Sequence, residues 1–110
     1  MIDAEDMPKR WDVGALGPLT EAGIRVKYQP GTRYRVSRFT LPPEDQTAGG
    51  MLPAICFCLR GCGRYQFGDR VIALSEGEYV RLPGGRYRQE SDNDVFDTVL
   101  VYELPGHPGV

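Results

Sequence analysis

Residues 77–89, GEYVRLPGGRYRQ, decide how the rest of this sequence is interpreted. A strand-sized run, EYVRL, leads into Pro83-Gly84-Gly85, and a second run, RYRQ, follows this turn. Proline and paired glycines favour backbone angles that end a strand, so the spacing predicts a rigid turn between two strands. Because side chains alternate along a strand, Arg86 and Arg88 share one face of the second strand.

The rest of the chain is cut into similar short pieces by 14 glycines and nine prolines in 110 residues. Between them lie β-branched and aromatic runs of strand length. These runs cover residues 24–28, 34–39, 54–60, 64–67, 70–74, 78–82, 86–90 and 95–104. Eight short strands, with a helical turn only within residues 8–16, predict an all-β sandwich or barrel.

The predicted organisation is one domain with extensions at both ends. Residues 1–22 form an N-terminal segment, residues 23–104 the barrel and residues 105–110 a tail. Gly68-Asp69 is predicted to be a two-residue hairpin turn, and residues 41–53 are predicted to be an irregular loop.

Composition and charge exclude several classes of protein. The net charge of −2 and the pI of about 5.3 provide no general attraction to nucleic acid or to an anionic membrane. No apolar run is long enough to span a bilayer, and the acidic start lacks an apolar signal core. Three cysteines, an odd number, are typical of reduced thiols. We therefore expect a cytoplasmic protein with neither a nucleic-acid nor a membrane partner.

The run AICFCLR, residues 54–60, has two apolar faces. Cys56 and Cys58 share one face with Ala54, and Phe57 lies on the other. A strand with two apolar faces is expected to be buried on both. Its outer face is covered either by the N-terminal segment, which carries Trp11, or by a second subunit, so we expect a homodimer as one of two arrangements.

The spacing of Gly77, Pro83 and Gly85 resembles the second motif of the cupin family, in which five residues separate the glycine from Pro-x-Gly. The Gly61-Cys62-Gly63 turn and the run that follows it are similar to the hairpin after the first cupin motif. The resemblance implies a cupin-type double-stranded β-helix, which is a small jelly-roll barrel.

The resemblance also implies a metal site, and here the sequence departs from the family. The histidine of the second motif corresponds to Arg88, and the glutamate of the first motif corresponds to Ala54. The paired histidines fall at Ala48 and Gly50, or at Thr47 and Gly49 if the spacing is one residue longer. The single histidine, His107, lies in the tail. We therefore expect neither a metal nor another cofactor.

The candidate site residues follow from these positions. At the ligand position Arg88 should point into the barrel together with Arg86. There the two arginines either pair with an internal carboxylate, such as Glu90, or bind an anionic ligand. On the run TRYRVSRF, residues 32–39, Arg33 and Arg35 lie on the opposite face from Arg38. One of these two faces is expected to contribute to the cavity rim, with Arg38 as the candidate ligand-binding residue.

Tyr102 is the candidate general acid if the even positions of the last strand face inward. In that case Asp97 and Glu103 point outward. Cys56 and Cys58 are either core-filling side chains or, with further ligands, a metal or ligand site.

The predicted function is metal-independent binding of a small anionic or polar organic molecule in the barrel. As an enzyme, the protein would resemble the metal-free cupins that isomerise, epimerise or cyclise sugars and natural-product intermediates. The alternatives are a non-catalytic ligand-binding or sensor module and a metal-bearing cupin with cysteine ligands.

Overall fold

The structure, a computed structural model, describes residues 7–28 and 33–104. These residues form two short helices, α1 (Val13–Leu16) and α2 (Glu21–Tyr28). They also form nine strands: β1 (Lys9–Arg10), β2 (Tyr34–Leu41), β3 (Gln46–Met51), β4 (Ala54–Arg60), β5 (Cys62–Phe67), β6 (Arg70–Ser75), β7 (Glu78–Leu82), β8 (Gly85–Ser91) and β9 (Phe96–Glu103). The predicted tail, residues 105–110, lies outside the described residues.

The strands form two antiparallel sheets that pack face to face. The first sheet has the order β1-β7-β4-β9-β2, and the second has the order β3-β8-β5-β6. Their inner faces enclose an apolar core that includes Cys56, Tyr65, Leu82, Phe96 and Leu100. This architecture confirms the predicted all-β jelly-roll barrel.

Strand β4 lies in the middle of the first sheet and is buried on both faces, as its sequence predicts. Cys56 and Cys58 belong to the core between the sheets. Phe57, with no exposed surface, belongs to a second core on the outer side. Burying one such aromatic side chain contributes roughly 2–3 kcal/mol of transfer free energy.

The second core is closed by residues 7–28, which we call the covering segment. Trp11 and Ile24 of this segment pack with Phe57 and Val99 of the barrel. The Trp11 ring meets Phe57 edge-on at a centroid distance of 5.9 Å, and its Nε1 donates to the carbonyl of Gly17 at 2.8 Å. Of the two covers that the sequence leaves open, the structure shows the N-terminal segment.

The predicted strand at residues 24–28 is wrong, because these residues belong to helix α2. The hydroxyl of Thr20 accepts a hydrogen bond from the amide of Gly23 at 3.0 Å and caps the helix. Ile24 and Tyr28, four residues apart, form its buried face. The β-branched composition predicts a strand, but the cap and the four-residue spacing of buried side chains favour a helix.

The predicted irregular loop, residues 41–53, contains strand β3. This strand lies at the edge of the second sheet and pairs with β8, with Ala48 opposite Arg88 and Gly50 opposite Arg86. Apart from Met51 its residues are small or polar, and they show no apolar alternation, so propensity alone does not predict it. Pairing with β8 supplies the backbone hydrogen bonds that make it a strand.

The turns follow the predicted spacing. Gly84 and Gly85 adopt φ values of +86° and +99°, in the region that favours glycine; Gly84 lies between β7 and β8, and Gly85 begins β8. The two-residue turn Gly68-Asp69 joins β5 to β6, with Phe67 opposite Arg70, as predicted. Neither α1 nor α2, the helices within residues 7–28 and 33–104, is long and apolar enough to cross a bilayer.

We predict that Gly61→Ala strongly destabilises the fold. Gly61 has a φ of +78°, and a Cβ at this position would lie 1.6 Å from the carbonyl oxygen of Val95. We expect the free energy of unfolding to fall by more than about 2 kcal/mol, since the left-handed conformation alone costs about 1–2 kcal/mol for other residues. Urea denaturation measures the change.

The matched control is Gly50→Ala, because a Cβ there meets no atom within 4 Å and φ is not positive. Its free energy of unfolding should stay within about 0.5 kcal/mol of the parent value. Equal losses for the two variants would contradict the close approach of Gly61 to Val95.

Candidate ligand-binding site

Arg88 and Arg86 lie on the outer face of the second sheet, so the prediction that they point into the barrel is wrong. Both side chains are exposed, whereas Gln89 is 1% exposed. Gln89 lies opposite Tyr65, which is also buried, and Arg88 lies opposite the exposed Gln66. A shift of one residue would bury two unpaired guanidinium groups, and the cost of desolvating them opposes that arrangement.

The sequence of β8 itself indicates that Arg86 and Arg88 face solvent, although the spacing of the cupin motif suggests that they point inward. Along the strand the charged side chains Arg86, Arg88 and Glu90 alternate with the uncharged Tyr87 and Gln89. Strict alternation predicts that the charged positions face solvent. The buried polar residues of this strand are therefore Gln89 and Ser91, which the motif spacing does not indicate.

The last strand, β9, turns its even positions inward. Phe96 and Leu100 belong to the core between the sheets, and Tyr102 packs against it. Val99 and Val101 belong to the outer core. Tyr102 therefore faces the barrel, as one of the two predicted orientations requires, and its role as a general acid stays a prediction.

Arg38 lies on the outer face of the first sheet, and the prediction that it contributes to the cavity rim is wrong. Its Nε donates to Oδ1 of Asp97 at 3.0 Å, and a second guanidinium nitrogen pairs with Oδ2 of the same carboxylate. Its Nη1 also donates to Glu21 of helix α2 at 3.0 Å. The Arg38 guanidinium lowers the pKa of Asp97, so this network remains charged at neutral pH. Arg38 is thereby committed to joining the covering segment to the barrel.

A polar network lies inside the barrel. The Oη of Tyr65 and the Sγ of Cys56 lie 3.5 Å apart, and Nε2 of Gln89 donates to the same Oη at 3.2 Å. Burial raises the pKa of Tyr65 well above its usual value, so its phenol stays protonated. This network satisfies the buried Gln89 and orients the hydroxyl of Tyr65.

Two further tyrosines and an arginine lie towards one end of the barrel. The ring of Tyr87 is 6.0 Å from that of Tyr65, and Tyr87 and Tyr102 are both partly buried against the core. Arg35 lies opposite Tyr102 on β2, with its guanidinium carbon 5.8 Å from the centre of the Tyr102 ring. We call Arg35, Tyr87 and Tyr102 the mouth cluster.

The mouth cluster combines phenols with a cation. Burial and the neighbouring Tyr87 raise the pKa of Tyr102, and the charge of Arg35 opposes this rise. Tyr102 is therefore a protonated hydrogen-bond donor at neutral pH. Arg35 lies on the opposite face of β2 from Val36, which belongs to the outer core, so its stem starts on the barrel side. Sequence alternation alone separates Arg35 from Arg38 but does not say which of them faces inward.

The residues at the cupin metal positions do not fit a transition metal. Gly49 lies opposite the inward-facing Tyr87, which places Thr47 and Gly49, rather than Ala48 and Gly50, on the inner face. Ala54 is also on the inner face. Hydroxyl, hydrogen and methyl groups do not form the nitrogen, sulfur or carboxylate donor set that such a metal requires. Within residues 7–28 and 33–104, no group of three or more histidine, cysteine, aspartate or glutamate side chains could hold an ion.

The two buried cysteines are poor metal ligands for the same reason. Burial raises the pKa of both Cys56 and Cys58 to about 12. Metal sites need three or four such donors, and within residues 7–28 and 33–104 no further histidine, cysteine or carboxylate joins these two thiols. The geometry favours their role as small core side chains, with Cys56 also contacting Tyr65.

Comparison with known proteins gives similarity at the level of three-dimensional structure. A transcriptional regulator of the HTH_3 family from Vibrio cholerae matches with a TM-score of 0.60 and 15% identity, over 68% of this chain and 45% of the regulator. A cupin superfamily protein from Desulfitobacterium hafniense matches with a TM-score of 0.55 and 14% identity, over 67% of this chain and 70% of that protein.

The DMSP lyase DddQ from Ruegeria pomeroyi matches with a TM-score of 0.58 and 18% identity, over 73% of this chain and 42% of the lyase. This chain thus spans less than half the length of the regulator and of the lyase. No family model matches the sequence, and no curated protein matches it. These structural similarities and the two-sheet topology show that the chain has the cupin fold.

We predict that the buried thiols make the protein less stable at alkaline pH. In the unfolded chain these thiols lose their protons near pH 9, whereas in the folded protein Cys56 and Cys58 keep them up to about pH 12. The folded state binds more protons in this range, so the free energy of unfolding should fall as the pH rises above 9. Urea denaturation between about pH 8 and pH 10.5 measures this slope.

Cys56→Ala/Cys58→Ala should flatten the alkaline slope, although it also lowers stability at every pH by leaving a small cavity. Cys62→Ala is the comparison: the hydrogen bond from its thiol to Asp92 also raises the pKa of Cys62, but less than full burial raises those of Cys56 and Cys58, so this variant should flatten the slope less. A slope that is unchanged in the double variant would contradict the assignment of high thiol pKa values.

Proposed function

We propose that the barrel binds a small anionic or polar organic molecule at the mouth cluster, without a resident metal. The observation that supports this proposal is the position of Arg35, whose guanidinium lies 5.8 Å from the ring of the inward-facing Tyr102. Within the described residues Arg35 makes no ion pair with a carboxylate, so its charge is available to a ligand. A guanidinium binds carboxylate and phosphate groups through two parallel hydrogen bonds.

The tyrosines supply the rest of the site. Tyr102 and Tyr87 provide phenolic donors beside the cation, and their rings provide apolar contact for a carbon skeleton. Beside Tyr87, the hydrogen-bonded side chains of Gln89 and Tyr65 form a buried polar pair. An anionic group bound by Arg35 with a polar skeleton over the rings fits this combination.

As an enzyme, the protein would act as an isomerase, epimerase or cyclase. Tyr102 would donate a proton to, or hydrogen-bond, an oxygen that becomes negative in the transition state, and Arg35 would stabilise that charge. The structural similarity to a lyase supports the view that this fold can house catalysis. In this proposal Arg35 takes the role that the sequence assigns to Arg88.

The second candidate is a ligand-binding or sensor module without catalysis. The structural similarity to less than half of a transcriptional regulator supports it. A sensor needs the same anion site but no proton transfer. The three free cysteines, Cys56, Cys58 and Cys62, support a reducing, cytoplasmic location for either function.

We predict that small anions bind and that Arg35→Gln weakens their binding at least about tenfold, because one charge-assisted contact is worth about 1.5–3 kcal/mol. Isothermal titration with malonate, succinate, inorganic phosphate and glucose 6-phosphate measures the affinity. Glucose and glycerol are the neutral comparisons. Arg35 is exposed, so the variant should unfold at the same temperature as the parent protein.

The matched control is Arg88→Gln, an exposed arginine on the outer face of the other sheet. It should bind the same anions with unchanged affinity. Failure of all four anions to bind, or a loss of binding in Arg88→Gln with none in Arg35→Gln, would refute the proposed site.

Tyr102→Phe separates the two candidate functions. Incubation of the parent protein with 2-keto acids and keto sugars in deuterium oxide tests for proton exchange at carbon, which mass spectrometry detects. Deuterium uptake that Tyr102→Phe abolishes favours an isomerase or epimerase. Anion binding without any uptake favours the sensor.

A further inference from the structure

The outer face of the second sheet is exposed and carries charges of opposite sign at its two ends. Arg86 and Arg88 of β8 mark one end, and Glu90 and Asp92 mark the other. Glu44 and Asp45 join the acidic end and line an open groove of about 770 Å³ together with Glu90 and Asp92. Net charge thus changes sign along a single strand. We call this surface the polar face.

The basic end has no partner within the part of the chain that the structure describes. Neither Arg86 nor Arg88 makes a side-chain hydrogen bond or an ion pair there. Their neighbours across the strands are Gly50, Ala48 and Gln66, all of them exposed and none of them acidic. Because these neighbours are small or neutral, another surface can approach the two guanidinium groups closely.

The acidic end keeps unsatisfied negative charge. Arg64 pairs with Asp92 at 2.8 Å and lies 3.5 Å from Glu90. One guanidinium thus serves two carboxylates, while Glu44 and Asp45 beside them add two further negative charges. The acidic end therefore carries four carboxylates and one guanidinium, that of Arg64.

From this arrangement we infer that the polar face pairs with the polar face of a second copy of this chain. A twofold axis that lies between the two faces, perpendicular to β8 and over Gln89, places Arg88 of each copy opposite Glu90 of its partner copy. The same axis places Arg86 opposite Asp92. Each basic end then meets an acidic end, which is the self-complementary pattern that a twofold interface requires.

The composition of the face favours a second copy over a polyanion. A nucleic acid or an anionic membrane would be attracted by Arg86 and Arg88 but repelled by the acidic end of the same strand. The exposed apolar side chains on this face are also small. Val71 is 55% exposed, and Ala73, two residues further along β6, lies on the same face. Small side chains suit the close packing of two sheets, which stack about 10 Å apart.

Single charge reversals provide a direct test by sedimentation velocity. The parent protein should be a dimer at low salt and should dissociate as salt rises from about 0.05 M to about 0.5 M, because partly exposed ion pairs are screened. Arg88→Glu places like charges opposite Glu90 in both halves of the interface, and Glu90→Arg does the same opposite Arg88. Each variant should dimerise at least about tenfold more weakly than the parent.

Mixing the two variants gives the decisive result. In a mixed dimer every contact between positions 88 and 90 again joins opposite charges. Native mass spectrometry of a mixture of Arg88→Glu and Glu90→Arg, distinguished by isotope labelling, should show the heterodimer in excess over both homodimers. Thermal unfolding verifies that each variant is folded, and if Glu90→Arg fails to fold, Arg88→Glu and the salt titration still decide.

The control is Arg81→Glu, since Arg81 is exposed on the other sheet and should leave the dimer unchanged. A parent protein that stays monomeric at low salt up to sub-millimolar concentration would overturn the inference. So would a dimer that neither Arg88→Glu nor Glu90→Arg weakens. Tighter binding of a nucleic acid by Glu90→Arg, without dimerisation of the parent, would show that the face serves a polyanion instead.

Discussion

Strand β4 is buried on both of its faces, and the remaining architecture depends on this constraint. Its inner side chains, Cys56 and Cys58, require the second sheet as a cover, and its outer side chain Phe57 requires a layer on the other side. A single two-sheet barrel supplies one of these covers. The covering segment supplies the other, with Trp11 and Ile24 packed on the outer face. Three layers in 110 residues follow from one strand that has no face for solvent.

Sequence patterns predict the part of the fold in which local signals and burial agree. The double-sided burial of β4, the Gly68-Asp69 hairpin and the turn before β8 all follow from composition and spacing. Helix α2 and strand β3 do not. Helix α2 contains the β-branched Ile24 and Val26, and β3 lacks apolar alternation, so packing and pairing with distant strands decide their conformation.

The candidate site shows the same division. The sequence leaves two directions open for Tyr102. Only the packing of β9 between the two cores shows that Tyr102 points inward. Arg88 has the right spacing for an inward ligand but the wrong register, because Gln89 pairs with the buried Tyr65. Register is a property of strand pairs, so a motif on one strand cannot specify it. Arg35, the cation of the mouth cluster, belongs instead to β2, and this strand carries no recognisable motif.

The covering segment also determines the order in which this chain can fold during its synthesis. Lys9 pairs with Tyr79, the amide of Trp11 donates to the carbonyl of Gly77, and Arg38 holds Glu21 of α2 to Asp97 of β9. A ribosome releases residues 7–28 first, at about 5–20 residues per second, and it releases β7 and β9 several seconds later. Trp11 therefore leaves the ribosome well before the surface that buries it exists. The last layer of this barrel is the first part of it to be made, and the apolar side chains of Trp11 and Ile24 in the nascent chain stay without their cover until the final strand emerges.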